Sequence, residues 1–263
     1  AMAKNDYSCD KKFIFFPGGP EGGPFGTIVY NGAVAAAEHT GCDVDYYWSQ
    51  WNSEIMIKQF KEAVALQPDG IAIYGFPGDE AMRPIIKEAR SMGIVITTMN
   101  TPLPDLEAEY KTEGFGYAGA DLFDAGYNLG AKGVEVCGLS AGDKAFVWGL
   151  ASMPNRGERT KGAIKALEDL GVEVVYQEIP DNVNSDASQG TPMYVATYSA
   201  NPDIKMAITD HGGLTASLPT YMKAAGHGTE EVCGAGFDLS APIVDGINSG
   251  YIDVVIDQQP FIQ

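Results

Sequence analysis

Polar and aromatic residues come directly after the short apolar runs of this chain. Asn100 follows one such run, "IVITTM", and Asp238 follows another, "EVCGAGF". Amides and carboxylates hydrogen-bond hydroxyl groups, whereas aromatic faces stack on C–H groups. These residue types therefore suit a ligand that carries many hydroxyl groups. The other residues of this kind, each at or just beyond the end of an apolar run, are Trp48, Gln50, His211, Phe237 and Gln258.

The first apolar run, "FIFF" (13–16), leads into a loop rich in Gly and Pro, "PGGPEGGPFGT". A phosphate-binding loop needs a Lys after its glycines, and none follows here. A dinucleotide-binding loop needs G-x-G-x-x-G, which the glycines do not match, and Glu21 would repel a pyrophosphate. We interpret the loop as bringing backbone and the ring of Phe25 to a different ligand. The alternative for Phe25 is a structural contact beneath its own helix.

The sequence carries no motif of an activated nucleophile. G-x-S-x-G and H-E-x-x-H are absent, and no Cys and His have a useful spacing. Of the three histidines, His39, His211 and His227, only His211 follows an apolar run. Arg159, in the first turn of a predicted helix, adds a cation with several donors. These residues indicate binding and not catalysis.

The alternation of apolar runs with helical stretches predicts how these residues are positioned. Strands that are apolar on both faces and alternate with helices form a parallel sheet that is covered on both sides. Ligands bind at the carboxyl ends of such strands. We expect Ser53 and Asp79 to be N-caps of the helices that follow them. The strands predicted for the first half are 13–16, 44–48, 70–75, 94–99 and, after a looser stretch, 115–119.

The same alternation resumes in the second half, with a helix expected over 186–200. The chain is therefore predicted to be an α/β protein with two doubly wound, Rossmann-like parallel sheets in tandem and a boundary near residue 118. The strands predicted for the second half are 145–150, 172–176, 204–209, 231–237 and 253–256.

Charge and composition exclude some partners. The 263 residues carry a net charge of −18, which argues against nucleic acid as a partner, because phosphate backbones are bound by clustered Lys and Arg. No apolar run reaches the ~20 residues of a membrane-spanning helix.

The four cysteines could form disulfides. A bridge between Cys9 and Cys42 is feasible if the strands that follow them are parallel neighbours, and a bridge between Cys137 and Cys233 ranks below it. The alternative is that these cysteines are buried free thiols.

Six segments in order resemble those of periplasmic sugar-binding proteins of ABC transporters, of the ribose-binding type (class I solute-binding proteins). The resemblance covers residues 12–263, and the last segment is the strongest. Its segments are "GGPFG" (22–26), "SQWNS" (49–53) with "GIVITTMN" (93–100), "NRGERTKGA" (155–163), "NPDIKMAITDHGGLTAS" (201–217) and "GAGFDLSAPIVDGINSGYIDVVIDQQP" (234–260).

The resemblance implies a periplasmic binding protein-like I fold, in which two lobes joined by a hinge close on a ligand in a cleft. The lobes would comprise 1–118 with 259–263, and 119–258, with crossings near 117–120 and 257–260. The ligand would be a neutral monosaccharide or sugar alcohol, delivered to a membrane permease by a monomer that needs no cofactor. The implied contacts are Phe25, Trp48, Gln50, Asn100, Arg159, His211, Phe237, Asp238 and Gln258.

The same resemblance implies a periplasmic or extracytoplasmic location. No signal peptide is evident in the sequence, and we expect that one has been removed. We also expect the natural chain to continue past Gln263, because the last strand leads into Pro260 and an apolar residue.

Three departures from the pattern predict a ligand other than ribose. Gly22 and Gly23 stand where polar contacts would lie, His211 replaces an asparagine, and Thr101 stands where ribose binders carry a second arginine. Two other functions share this fold class. One is the effector-binding core of a sugar-responsive transcription repressor, which would carry a basic DNA-binding segment. The other is a nucleotide-dependent oxidoreductase, which the glycine loop disfavours.

Overall fold

The computed structural model describes residues 9–263. Residues 1–8, with which the predicted first lobe begins, lie outside the described residues. Internal contacts divide the chain into two compact units. The first unit comprises residues 9–119 together with Gln259–Gln263, and the second comprises Ala120–Gln258.

The first unit is built on a five-stranded parallel sheet with strand order β2-β1-β3-β4-β5. Its strands are β1 (Lys12–Phe15), β2 (Asp43–Tyr46), β3 (Gly70–Tyr74), β4 (Val95–Met99) and β5 (Gly116–Ala118). Its helices are α1 (Pro24–Thr40), α2 (Ser53–Ala65), α3 (Asp79–Ser91) and α4 (Pro104–Tyr110), with 3₁₀ turns at Lys111–Glu113 and Pro260–Ile262.

The second unit is built on another five-stranded parallel sheet, with strand order β10-β9-β8-β6-β7. Its strands are β6 (Lys144–Gly149), β7 (Glu173–Glu178), β8 (Ile204–Thr209), β9 (Cys233–Phe237) and β10 (Val254–Ile256). Its helices are α5 (Leu122–Cys137), α6 (Glu158–Asp169), α7 (Asp181–Ser185), α8 (Thr191–Ala200), α9 (Gly212–Ala224) and α10 (Ala241–Asn248), with a 3₁₀ turn at Ala187–Gly190.

The predicted fold class is confirmed, because both sheets are parallel and every predicted strand is present. Apolar packing covers both faces of the second sheet. Phe146 and Trp148 point into one core cluster, and Ala145 and Val147, which alternate with them on β6, point into the other. This arrangement is what strands that are apolar on both faces require.

Three local predictions about helices are wrong. Asn52, and not Ser53, caps α2, since its Oδ1 accepts from the Ile55 N–H at 2.9 Å. Asp79 is the first residue of α3, and its carboxylate accepts from the N–H of Leu106 at 3.0 Å. The helix expected over 186–200 begins only at Thr191, because the Asp186 side chain accepts from the Ser188 N–H and so stabilises a turn.

Helices α5 and α6 pack so closely that their backbones touch. A Cβ at Gly126 would lie 1.8 Å from the carbonyl oxygen of Arg159, and one at Gly162 would lie 2.1 Å from that of Phe123. Only glycine permits this approach. The contact fixes the first turns of α6, which carry Arg159.

Two disulfides join distant segments. Cys9 bonds to Cys42, with Cα atoms 4.7 Å apart, and the strands that follow them, β1 and β2, are parallel neighbours. Cys137 bonds to Cys233, with Cα atoms 5.9 Å apart, although the sequence ranked this pair below the first. Each bridge lies within one unit.

Candidate functional site

A buried carboxylate at the end of β8 organises the charged residues of the second unit. Asp210 is 2% exposed, and its Oδ1 accepts from Arg159 Nε at 2.7 Å and from Arg156 Nη1 at 3.1 Å. Its other oxygen accepts from the Thr160 hydroxyl and from the N–H of Leu150. The carbonyl of Asp210 also accepts from both arginines. This set of bonds holds both guanidinium groups in place.

The electrostatics of this cluster favour its charged form. Burial favours a neutral Asp210, but Arg156, Arg159 and the Thr160 hydroxyl outweigh that effect and hold the pKa of Asp210 below its ordinary value. Burial and the charge of Arg156 lower the pKa of Arg159 to about 10. Both groups are therefore ionised at neutral pH.

Arg159 offers one nitrogen for further binding. Its guanidinium carbon lies 3.9 Å from the centroid of the Phe237 ring, in a cation–π arrangement. Nε and Nη2 both donate to Asp210. Nη1 is buried and has no hydrogen-bond partner among the described residues. Of the several donors predicted for Arg159, Nη1 is therefore the one without a partner among the described residues.

Asp238 lies at the end of β9 beside this cluster. Its Oδ2 accepts from the N–H of Gly212 at 2.8 Å, and its Oδ1 accepts from Gln258 Nε2. Burial raises the pKa of Asp238, although Arg159, Gln258 and Gly212 oppose the shift. The backbone of Asp238 is left-handed, with φ 79°. Such a strained conformation in a non-glycine residue is typical of functional positions.

In the chain, His211 lies between Asp210, which binds the arginines, and Gly212, whose N–H donates to Asp238. Its Nδ1 accepts from the N–H groups of Gly213 and Leu214 and so caps α9. Burial, together with the charge of Arg156, lowers the pKa of His211 to about 3. The imidazole is therefore neutral at physiological pH.

In the first unit, aromatic rings pack against the glycine-rich loop that follows β1. The Trp51 indole lies so close to the loop after β1 that a Cβ would be 2.5 Å from it at Gly18 and 2.7 Å at Gly19. Trp51 lies 6.0 Å from Phe25 and 5.5 Å from Tyr74 between ring centroids. The glycines of this loop therefore make room for Trp51.

Asn100 is buried at the end of β4, with a left-handed backbone of φ 55°. Its N–H donates to the Ala118 carbonyl, and its own carbonyl accepts from the Tyr117 hydroxyl at 3.0 Å. Residues of β5 therefore bind both the N–H and the carbonyl of Asn100, which fixes the position of its Cα and Cβ atoms.

The structure brings together the predicted contact residues of the second unit. Arg159, His211, Phe237, Asp238 and Gln258 gather at the ends of β8, β9 and β10, and Phe237 lies beneath Arg159, 1% exposed. In the first unit, Phe25 joins Trp51.

Trp48 and Gln50 are placed differently from Phe25. The centroid of the Trp48 ring lies 5.6 Å from that of the Tyr30 ring. Trp48 and Tyr46 both line a cavity of about 500 Å³. Gln50 is exposed, with a left-handed backbone of φ 56°. Each remains a predicted contact.

Sequence reasoning missed three residues of these clusters. Asp210 directly follows β8, and its position at a strand end was the feature of the sequence that could have identified it. Arg156 precedes Arg159 by three residues, the spacing that places side chains on one side of a helix. Trp51 lies in the "SQWNS" segment, and only its contact with Gly18 and Gly19 shows its role.

Comparison with known proteins identifies the class. Residues 14–263 match the family model for the periplasmic binding protein domain, and the chain belongs to this family. Among curated proteins, the xylose/arabinose-binding protein XylF of Sulfolobus acidocaldarius is 21% identical over 84% of this chain. The chain spans about half, 56%, of the length of that relative.

Solved structures share the fold. A solute-binding protein of an ABC transporter from Burkholderia graminis, in complex with D-arabinose, aligns with a TM-score of 0.83 and 21% identity over 98% of this chain and 86% of that chain. A carbohydrate transporter from Acidothermus cellulolyticus, in complex with myo-inositol, aligns with a TM-score of 0.77 and 22% identity over 96% and 82%. The family is one of binding proteins, and none of these relatives is named as an enzyme.

In residues 9–263, no helix has both the length and the apolar character needed to cross a membrane. Within that range, no three His, Cys, Asp or Glu residues come together as a metal site would require.

Proposed function

We propose that this protein is an extracytoplasmic solute-binding protein of an ABC importer, which binds a neutral monosaccharide or sugar alcohol and delivers it to a membrane permease. The observation that carries the proposal is the buried Arg159 with an unpaired Nη1, held by Asp210 beside His211 and Asp238. An unpaired buried donor is costly unless a ligand supplies its partner.

Membership of the periplasmic binding protein family supports the transport role. The names of the similar proteins, which include binders of xylose, arabinose and myo-inositol, support a sugar or polyol as the ligand. Two disulfides agree with an oxidising compartment outside the cytoplasm.

In this proposal, each unit contributes part of the ligand contacts. The first unit supplies Phe25, with Trp48, Gln50 and Asn100, and the second supplies Arg159, His211, Asp238 and Gln258. A ligand that contacts both units shifts the population towards a closed form, because only that form makes all the contacts at once. We expect the protein to act as a monomer.

Thermal unfolding against a panel of pentoses, hexoses, alditols, cyclitols and nucleotides tests the proposal. A ligand at about 1,000 times its Kd adds about 4 kcal/mol to the native state, which raises Tm by roughly 8–16 °C for a chain of this size. We expect such a rise with at least one sugar or polyol and none with nucleotides. A rise with nucleotides alone would overturn the proposal.

Two substitutions in α6 test whether the Tm rise with sugar depends on Arg159. Arg159→Ala removes the unpaired donor and should abolish the Tm rise with sugar. Lys161→Ala, two residues away, removes an exposed side chain that pairs with Glu158 and should leave the rise unchanged. Circular dichroism checks that both variants fold. Normal binding by folded Arg159→Ala would remove Arg159 from the site.

A further inference from the structure

A cavity of about 500 Å³ lies on the first unit, where α1 meets the edge strand β2 and the loop that follows β1. A volume of this size is typical of small-molecule sites. Of the proposed sugar contacts, Trp48 is among the lining residues, whereas Arg159, His211 and Asp238 belong to the other unit. The lining includes Glu21, Tyr30, Asn31, Asp45, Tyr46 and Trp48.

Three aromatic residues form a continuous part of this lining. Tyr30, on α1, is the central one, because its ring centroid lies 4.7 Å from that of Tyr46 and 5.6 Å from that of Trp48. The plane of the Tyr30 ring is inclined by 72° to that of Tyr46 and by 42° to that of Trp48. A flat C–H face stacks best on one parallel ring. Rings that are inclined to one another suit a compact, rounded group.

Acidic residues supply the charge at the cavity. Glu21 and Asp45 line it, and none of the lining residues that the structure describes is Lys, Arg or His. The ammonium group of Lys12 pairs with Asp45 at 3.0 Å and balances that carboxylate. Glu21 then leaves the lining with a net negative charge. The cavity therefore favours a cationic ligand over an anionic one.

The aromatic rings of the lining have no cation from the protein over their faces. Three cation–π pairs are present within residues 9–263, and none of them involves Tyr30, Tyr46 or Trp48. Burial, together with Tyr30 and the charge of Glu38, raises the pKa of Tyr46, as expected where a further negative charge is disfavoured. A cation in the cavity would be attracted both by the ring faces and by the acidic surroundings.

The type of cation follows from the hydrogen bonds that it would need. A primary ammonium group brings three N–H donors, each of which needs an acceptor. A quaternary ammonium group has no N–H, and its alkyl groups contact ring faces directly. Because Asp45 is already engaged by Lys12 and three rings line the cavity, the quaternary group is the better match.

We propose that this cavity is a second binding site of the protein, which takes a soluble quaternary ammonium ion against Tyr30, Tyr46 and Trp48, with Glu21 adding charge attraction. The site goes beyond the proposed sugar binding and does not depend on it, because the lining residues lie in the first unit. Trp48 is the residue common to both proposals.

Calorimetric titration of the whole protein with choline tests this site. The control ligand is 3,3-dimethyl-1-butanol, in which carbon replaces the quaternary nitrogen and the charge is lost. We expect choline to bind at least about 10-fold more tightly, because only the cation is attracted to the ring faces. Ethanolamine, with three N–H donors on its ammonium group, should bind more weakly than choline. Added NaCl should weaken choline binding, since salt screens the charge of Glu21.

Tyr30 offers a matched pair of variants. Tyr30→Leu removes the central ring but keeps an apolar residue that suits a helix, and it should weaken choline binding about 10-fold. Tyr30→Phe keeps the ring and should change the affinity by less than about 2-fold.

A second pair of variants tests the charge. Glu21→Gln should weaken choline binding about 2-fold at low salt. Glu80→Gln, which removes an exposed carboxylate on α3, is its control and should change nothing. Circular dichroism checks that all four variants fold, and the comparison of choline with its neutral analogue needs only the wild-type protein.

Several outcomes would overturn the site. Equal affinity for choline and its neutral analogue would exclude a cation site, and choline binding that Tyr30→Leu leaves unchanged would place the ligand elsewhere. Tighter binding of ethanolamine would exclude the preference for a quaternary group. Sedimentation of the protein with phosphatidylcholine vesicles, lost in Tyr30→Leu, would show that the occupant is a lipid head group and not a soluble ion.

The fate of this site is read separately from that of the proposed function. Choline binding without a Tm rise with any sugar or polyol would leave the cavity site standing and count against the proposed function. A Tm rise with sugar but no choline binding by the folded wild-type protein would overturn the cavity site and leave the proposed function standing.

Discussion

The strand ends of the two units offer different kinds of contact. In the first unit, the rings of Phe25, Trp51 and Tyr74 pack around a glycine loop. In the second, Arg159 and His211 present directed donors, held by carboxylates. Stacking tolerates many hydroxyl arrangements because it needs only a C–H face, whereas a buried donor rejects a ligand without a matching acceptor. In the proposed function, the first unit would therefore contribute general affinity and the second would contribute discrimination between ligands.

The two regions are also held in place in different ways. Trp51 and Gln50 have left-handed backbones, with φ 54° and 56°, so the first unit relies on turn geometry and on contact with glycine. The second unit relies on ion pairs that converge on Asp210. Substitutions in the two units should therefore differ in how much they lower stability and in how strongly that loss depends on pH.

The largest effect is expected from Asp210→Asn. It removes the counter-charge of two buried guanidinium groups and should lower the free energy of unfolding by about 3–5 kcal/mol. Asp203→Asn is the control, because that carboxylate pairs with Lys144 at the surface and its loss should change the free energy of unfolding much less. Urea unfolding measures both. Equal effects would mean that the buried cluster does not hold the second unit together.

The next effect is a pH dependence that comes from His211. Its folded pKa of about 3 lies below the ordinary 6.5, so below pH 6.5 the unfolded chain binds a proton that the folded chain rejects. Stability from this group is present above pH 6.5 and falls as pH drops towards 3, by about 1.4 kcal/mol per pH unit. His211→Asn should remove that part of the slope between pH 6 and 4. A slope unchanged by the variant would exclude His211 as its source.

A smaller effect is expected at the glycine loop. Gly18→Ala places a Cβ 2.5 Å from Trp51 at φ 88°, whereas Gly22→Ala, at φ 80°, meets no atom within 4 Å. We expect about 1 kcal/mol of destabilisation at Gly22 from backbone strain, and about 2 kcal/mol at Gly18. Thermal unfolding of both variants measures the difference. If Gly18→Ala costs no more than Gly22→Ala, Trp51 is not held by the loop.

The smallest effect on stability is expected from Phe25→Ala. Loss of its half-buried ring should lower the free energy of unfolding by about 1 kcal/mol and should lower affinity about 10-fold for the sugar or polyol that binds best. Phe123→Ala, which removes an exposed ring on α5, should leave affinity unchanged. Calorimetric titration of folded protein gives both affinities. A loss of stability without a loss of affinity would reduce Phe25 to a packing residue.

Much of the fold follows from local sequence. Each predicted strand is present because an apolar run of strand length, followed by a helix, has few alternatives to a covered parallel sheet. The errors were local ones. Asp79 and Asp186 are residue types that cap helices, yet one accepts from Leu106 and the other from Ser188. Propensity alone does not choose among such competing partners.

The candidate site was only partly predictable. Arg159 was selected because it lies in the first turn of a predicted helix and Asp238 because it follows a strand, and the family resemblance supplied the order of segments. Asp210 and Arg156 went unrecognised because a charge at a strand end has no visible partner in the sequence. Their ion pair spans 54 positions of the chain, and no pattern of spacing predicts a contact of that length.

The sequence by itself therefore determined the alternation of elements, the two parallel sheets and the family, because burial of apolar residues on both faces of a strand is a local property. Only the tertiary structure decided which nitrogen of Arg159 remains unpaired, which nitrogen of His211 carries the proton, and why the first loop consists of glycine. In a parallel sheet, neighbouring strands are distant in the chain. The hydrogen bonds at their ends, which set the chemistry of the site, therefore exist only once the sheet has formed.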